Sequence, residues 1–148
     1  GHIRVKLHNY LKKLKLIPFT YIHPSALISK TAKIGEGSQI LENVVIHANV
    51  KLGKQCIINS SVSIDHDCIL EDGVEMGPRS VTAGRVRLKK YSWFCTGAVA
   101  FADQNKKSFR IIGQKSIVGA GSIVVNNIKD NTTVVGNPAK KINYVKKK

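Results

Sequence analysis

The chain has 148 residues, 43% of them apolar, which suffices for one domain with a real core. No apolar run reaches the length of a membrane span and no stretch has the order of a secretion signal, so membrane insertion is not expected; three cysteines in no disulfide or CxxC pattern fit a reducing cytoplasm. Twenty-four Lys and Arg against nine acids give a net charge of +15, but residues 1–20 and 140–148 each carry five basic residues and no acid. That distribution describes solubilising ends on a mildly basic body, and no nucleic-acid partner is expected.

Gly1-His2, without an initiator Met, reads as the scar of a cleaved tag. Ile3, Leu7, Tyr10, Leu11 and Leu14 then follow helical spacing with lysines between them, which predicts an amphipathic helix over 3–17 ended by Pro18, within an N-terminal segment 1–20.

From Ile22 the sequence repeats every six residues. Ile22, Ile28, Ile34, Ile40, Ile46, Leu52, Ile58, Ile64, Leu70, Met76, Thr82, Leu88 and Phe94 form one series, apolar and large except for Thr82. Four residues after each stands a small one, from Ala26 and Ala32 through Cys56 and Cys68 to Ser92 and Ala98. A period of six fits neither a helix nor a long alternating strand; it fits a short strand, a corner, and a repeat. Both series point inward by strand alternation, and three residues between them make an outward corner where Gly35, Gly53, Asn59 and Gly77 fall. Three hexads close one triangular coil, and successive coils stack at about 4.8 Å. The fold class is therefore an all-β solenoid of hexapeptide repeats spanning 21–139.

The register breaks between Ala100 and Ile111, where Gln104 and Arg110 stand at positions that should be small, and resumes at Ile112, Val118 and Val124, with Ser116, Ser122 and Ile128 following. The break predicts an extruded loop within 100–111, one hexad long. A basic tail follows at 140–148.

The densest polar cluster is Asp65-His66-Asp67 on one corner. A His flanked by a carboxylate suits proton removal, because the carboxylate fixes the tautomer and stabilises the imidazolium; a plain solvated corner is the other reading. Gly84 lies three hexads after His66, on the same corner one coil on. A glycine there leaves a backbone N–H unobstructed beside the His, able to stabilise an oxyanion by roughly 3 kcal/mol, or serves only to turn the corner. Three cysteines, Cys56, Cys68 and Cys95, without CxxC spacing suggest neither a disulfide framework nor a zinc knuckle, and Cys56 and Cys68 read as core filler. His23 reads as structural. His47, one position more than a coil before His66, does not with it supply the three imidazoles of a zinc site, so no metal is expected. Trp93 and Phe94 could cap the interior or line a groove.

The segments YIHPSALIS, IINSSVSIDHDC, TAG and VVGNPAKKI, in that order on a hexad repeat, resemble the C-terminal domain of bacterial sialic acid O-acetyltransferases and UDP-amino-sugar N-acetyltransferases. The resemblance implies a left-handed parallel β-helix with a short N-terminal helix, although the general crossover preference points to the other hand. It implies acetyl-CoA as cosubstrate, an amino or hydroxyl group of a sugar or nucleotide sugar as acceptor, no metal, and a homotrimer with active sites between subunits. His66 matches the family's catalytic His and Asp67 the acid after it. Asn59 matches an Asn near that His, with a purely conformational role as the alternative, and Asp65 joins it as a substrate contact. Glu75 stands where the family carries a second His, a departure that alters hydrogen bonding to the acceptor. Gly97, Gly119, Ala120 and Gly121 would admit a pantetheine arm, and Lys140 and Lys141 match the family's nucleotide end, or are simply a solvated tail. The helix at 3–17 resembles the last helix of the family's Rossmann-like first domain. Two rival readings are a zinc hydratase of the γ-carbonic-anhydrase type and a non-catalytic, polyanion-binding scaffold.

Overall fold

A computed structural model describes residues 1–105 and 108–142. The hexads form two- and three-residue strands on three parallel faces. The first face stacks Tyr21–Ile22, Gln39–Ile40, Ile57–Ile58, Glu75–Met76, Trp93–Phe94, Ile117–Val118 and Thr133–Val135. The second stacks Leu27–Ile28, Val45–Ile46, Ser63–Ile64, Val81–Thr82, Val99–Ala100 and Ile123–Val124, and the third Lys51–Leu52, Ile69–Leu70, Val86–Leu88 and Arg110–Ile112. In partners such as Ile57↔Glu75 and Ser63↔Val81 each residue pairs with the one three hexads further on, so one coil is three hexads, as the repeat requires. The three corners are represented by Asn59–Ser61 (first to second face), Asp65–Asp67 (second to third) and Glu71–Gly73 (third to first).

Both inward series are buried. Ile40, Ile58, Met76 and Phe94 form one interior column, and Cys56, Val62, Cys68 and Val74 fill the gaps beside the corners. Thr82, the one polar member of the large series, is buried within hydrogen-bond reach of the Cys68 thiol, 3.5 Å away.

The left-handed conformation falls on the third corner residue, which is mostly not glycine: Asn43, Asn49, Gln55, Ser61, Asp67, Arg79, Arg85 and Tyr91 have φ between 55 and 64°. Each such residue costs about 1–2 kcal/mol. The offset is a regular bond to the coil below, as in Asp67 N–H to Ala48 carbonyl (2.9 Å) and Arg85 N–H to His66 carbonyl (3.0 Å). Glycines at the first corner position answer to close stacking instead. A Cβ on Gly35 would lie 2.2 Å from the Gly53 carbonyl oxygen, and one on Gly77 2.5 Å from the Thr96 nitrogen.

The expected loop is present. Beyond it the register lengthens by one hexad, with Val86↔Arg110 and Leu88↔Ile112 now four hexads apart. Ile128 departs from its expected small position: it bridges to Ile112 in the large column, because the corner after Val124 is shorter. Helix α1 runs His2–Lys13, ending before Pro18 because Lys15 turns into the left-handed region at φ 59°. Val5 and His8 face the third corner, and Ile3, Leu7, Tyr10 and Leu14 face solvent. Arg4 pairs with Glu75 at 3.1 Å, while Lys12 and His8 both approach Glu36. At the other end Lys140–Lys141 is no free tail: it pairs antiparallel with Thr133–Val135. Residues 143–148 of the expected tail lie outside the described residues.

Candidate active site

The second corner gathers His66, Asp65, Asp67 and Gly84. The hexad places Asp65, His66 and Asp67 at its three corner positions, and the left-handed turn at Asp67 (φ 58°) folds its carboxylate back beside the ring. His66 Nδ1 lies 2.9 Å from Asp67 Oδ2. A carboxylate only accepts, so this contact puts the proton on Nδ1 and leaves the Nε2 lone pair open. Asp65 Oδ1 accepts the His66 backbone N–H at 2.7 Å, which pins the corner from the other side. The ring is 49% exposed, accessible to a substrate. The Asp67 carboxyl is held below the ordinary aspartate range, first by its bond with His66 and next by one from Asn49.

Gly84 sits against the imidazole. A Cβ there would lie 2.5 Å from Nε2 and 2.7 Å from Cε1, so glycine is what lets the ring lie flat on the coil above. Among the described residues the Gly84 N–H has no hydrogen-bond partner, although its neighbours Ala83 and Arg85 both donate to adjacent coils.

Two grooves flank this corner. One of about 430 Å³ runs along the second face past His47, Ser63, Asp65, Val81 and Phe101; the other, about 380 Å³, runs along the third face past Lys33, Asn49, Lys51, Asp67 and Phe109. Phe101 and Phe109 belong to the extruded loop, which leaves the prism from this same corner. Arg110 anchors the loop. Only 7% exposed in the column that Val86 occupies one coil below, it donates to the carbonyls of Phe101 (3.3 Å) and Ala102 (3.2 Å) and pairs with Asp103 at 3.3 Å.

Other residues singled out in the sequence lie elsewhere on the prism. Asn59 is on the first corner, its amide donating to the Met76 carbonyl at 2.8 Å. Glu75 is on the first face, paired with Arg4. Neither reaches His66 within one chain. Gly97, Gly119, Ala120 and Gly121 line the first corner in the upper coils, where a Cβ on Gly121 would meet nothing within 4 Å. Lys140 and Lys141 form the antiparallel edge strand above them. Trp93 and Phe94 separate: Phe94 is interior, whereas Trp93 lines an apolar groove of about 490 Å³ with Cys95, Ile117, Gly119 and Val135. His23 bonds locally to Ser25 at 2.8 Å, in keeping with a structural role. Among the described residues no three His, Cys, Asp or Glu side chains converge as metal ligands. Sequence reasoning passed over Asn49, whose Nδ2 donates to Asp67 Oδ1 at 3.0 Å. Its position one full coil before Asp67 was the available signal.

The bacterial transferase hexapeptide family (six repeats) matches residues 31–66. The chain is a hexapeptide-repeat β-helix. It superposes on PerB from Caulobacter crescentus, solved with CoA and GDP-perosamine, with a TM-score of 0.89 and 31% identity over 96% of this chain and 66% of that one. It is similarly close to the acetyltransferase domain of PglB from Neisseria gonorrhoeae in complex with acetyl coenzyme A, with a TM-score of 0.86 and 31% identity over 95% of this chain and 66% of that one. A coil of one hand does not superpose on a coil of the other, so the prism is left-handed, as in these relatives. Among curated sequences, a probable mannose-1-phosphate guanylyltransferase 3 of Oryza sativa subsp. japonica is 31% identical over 104 residues, 70% of this chain and 24% of that protein. The chain thus spans just under two thirds of the solved relatives and a quarter of the curated one. The likeness to the solved acetyltransferases runs through nearly the whole chain, the helix included.

Proposed function

We propose that this chain is an acetyl-CoA-dependent acetyltransferase domain acting on an amino or hydroxyl group of a nucleotide-linked sugar in bacterial surface-glycan synthesis. The observation that carries the reading is the His66–Asp67 pair with its Nε2 open beside an unpaired backbone N–H. Acyl transfer needs a base for the acceptor's proton and a donor for the oxygen that becomes an oxyanion. His66 Nε2 takes the proton as the acceptor attacks the thioester carbonyl, and Asp67 stabilises the imidazolium that forms. The Gly84 N–H donates to the carbonyl oxygen as charge develops there. His66 then returns the proton to the departing thiolate.

The assembly we infer is a homotrimer. Of the residues expected to meet the cofactor, Gly97, Gly119 and Gly121 lie along the first corner and the Lys140–Lys141 strand on the first face, whereas His66 lies on the second corner. A neighbouring prism that lays its first corner beside this chain's second would complete one site, and a closed ring repeats that interface three times. Light scattering should give about three times the 16.2 kDa chain mass; a monomer active in isolation would contradict the arrangement. Three free thiols fit a reducing, cytoplasmic setting.

The acetyltransferase reading is supported by PerB, which has also been solved with CoA and GDP-perosamine after replacement of a single histidine by Asn or Ala. The corresponding test here is His66→Ala. It should reduce acetyl transfer to nucleotide-linked amino sugars by about a hundredfold or more, with CoA binding by calorimetry unchanged. A variant that kept more than half the rate would move the base away from this corner.

A further inference from the structure

We propose that Asn49 is a positioning residue for the base, acting through Asp67. The proposal rests on the acetyltransferase reading above and adds a third member to the pair.

Hydrogen bonds link three coils along the corner, with Asn49 donating to the coil on either side and Asp67 accepting from both Asn49 and His66. Thr31 Oγ1 accepts the Asn49 backbone N–H at 2.9 Å, Asn49 Nδ2 donates to Asp67 Oδ1 at 3.0 Å, and Asp67 Oδ2 faces His66 Nδ1 at 2.9 Å. The orientation of the Asn49 amide follows from chemistry, since a carboxylate accepts and only the NH₂ end donates. Each carboxylate oxygen therefore has its own partner, one from the coil below and one from the base. A carboxylate held at one oxygen alone turns freely about its Cβ–Cγ bond. Held at both, it presents Oδ2 to the ring in one orientation and keeps the proton on Nδ1. The Asp67 side chain is 42% exposed, so these two bonds are its specific restraints.

The coil geometry makes the contact repeatable. Asn49 and Asp67 occupy the same left-handed corner position one coil apart, with φ of 60 and 58°. Their side chains therefore leave the prism in parallel. Asn tolerates this conformation better than most residues, and its amide reaches one rung without a rotamer change along a longer side chain. The same donation favours the ionised carboxyl, in line with the depressed Asp67 value.

The test is made on the full chain with ¹⁵N-labelled histidine. In the wild type His66 should be almost entirely the Nδ1–H tautomer. Asn49→Gly keeps the left-handed corner available and removes only the amide, so the fold should persist while His66 shifts to a roughly even tautomer mixture. Asn49→Asp sets a carboxylate against a carboxylate and should raise the Asp67 titration midpoint. With acetyl-CoA and an amino-sugar acceptor, Asn49→Gly should lower kcat about tenfold, less than loss of the base itself, with KM for acetyl-CoA within about twofold. A purely structural rung would change melting temperature and leave the tautomer ratio alone; that result would overturn the proposal. Full acetyl transfer by His66→Ala would sink the acetyltransferase assignment at this corner, and the tautomer measurement would still decide the role of Asn49.

Discussion

Replacing Gly84 by Ala separates the chemistry of the second corner from its folding. The added Cβ would stand 2.5 Å from His66 Nε2 and 2.7 Å from Cε1, against an ordinary contact of at least 3.4 Å, so the ring must retreat by about 1 Å. Nothing in the backbone opposes the substitution: Gly84 is not among the positive-φ positions, and its obstructing neighbour is the far end of a half-exposed side chain. Alanine also restricts the unfolded chain, a stabilising effect of about 0.4–1 kcal/mol. Stability should therefore be unchanged or slightly higher. Activity should not survive as well. A displacement of about 1 Å at the reacting atoms costs on the order of a hundredfold, and the Gly84 N–H remains in place, so the loss falls on the base. The assay is release of CoA thiol with an amino-sugar acceptor, beside urea unfolding followed by circular dichroism. Gly77→Ala is the control, since its Cβ would meet backbone, 2.5 Å from Thr96 N, and should destabilise by about 1–3 kcal/mol. A Gly84→Ala protein with wild-type kcat, or one as unstable as Gly77→Ala, would refute the placement of the ring.

Further outcomes follow from the same geometry. The Asp67 carboxyl should titrate below an ordinary aspartate by ¹³C NMR: a depressed folded value means its ionised form persists as pH falls through the usual carboxylate range, and the stability it lends declines through that range and is gone below its own folded value. Burial pushes the Cys56 thiol up to about 12 and raises Cys68 as well, so at pH 8 a thiol reagent should react with native protein at Cys95 at most, and with all three cysteines in guanidinium. Fast labelling of Cys56 in the native state would contradict its interior position. Arg110→Met should free the loop from its anchor, leave Asp103 without its cation, and speed proteolysis between 101 and 110 while lowering the melting temperature; unchanged cleavage would remove Arg110 as the anchor.

The six-residue period determined the prism by itself. An inward large residue and an inward small one per hexad leave only one way to bury both, and three hexads per coil then put His66 and Gly84 on one corner without any coordinates. The extruded loop was equally legible, because Arg110 at an inward position breaks a rule that every earlier coil obeys. Three things were not legible. The end of the helix depended on Lys15 adopting a left-handed turn, which nothing local demands and Pro18 obscured. The corner conformation was hidden as well, since the stacked coils supply the bonds that let Asn, Asp and Arg take the left-handed turn beside glycines such as Gly37 and Gly73, while Gly35 and Gly77 relieve close contact. The partition of the polar residues among corners mattered most for the site: Asn59 precedes and Glu75 follows His66 by little more than a hexad, yet Asn59 is one corner away, Glu75 is on the opposite face, and both are engaged with other partners. Sequence spacing measures progress along the coil, whereas chemistry depends on which edge of the triangle a residue occupies and what the coils above and below offer it. That is why the adjacent His66–Asp67 pair stood out in the sequence, while Asn49, a full coil away in sequence and one rung away in space, was passed over until the coils were stacked.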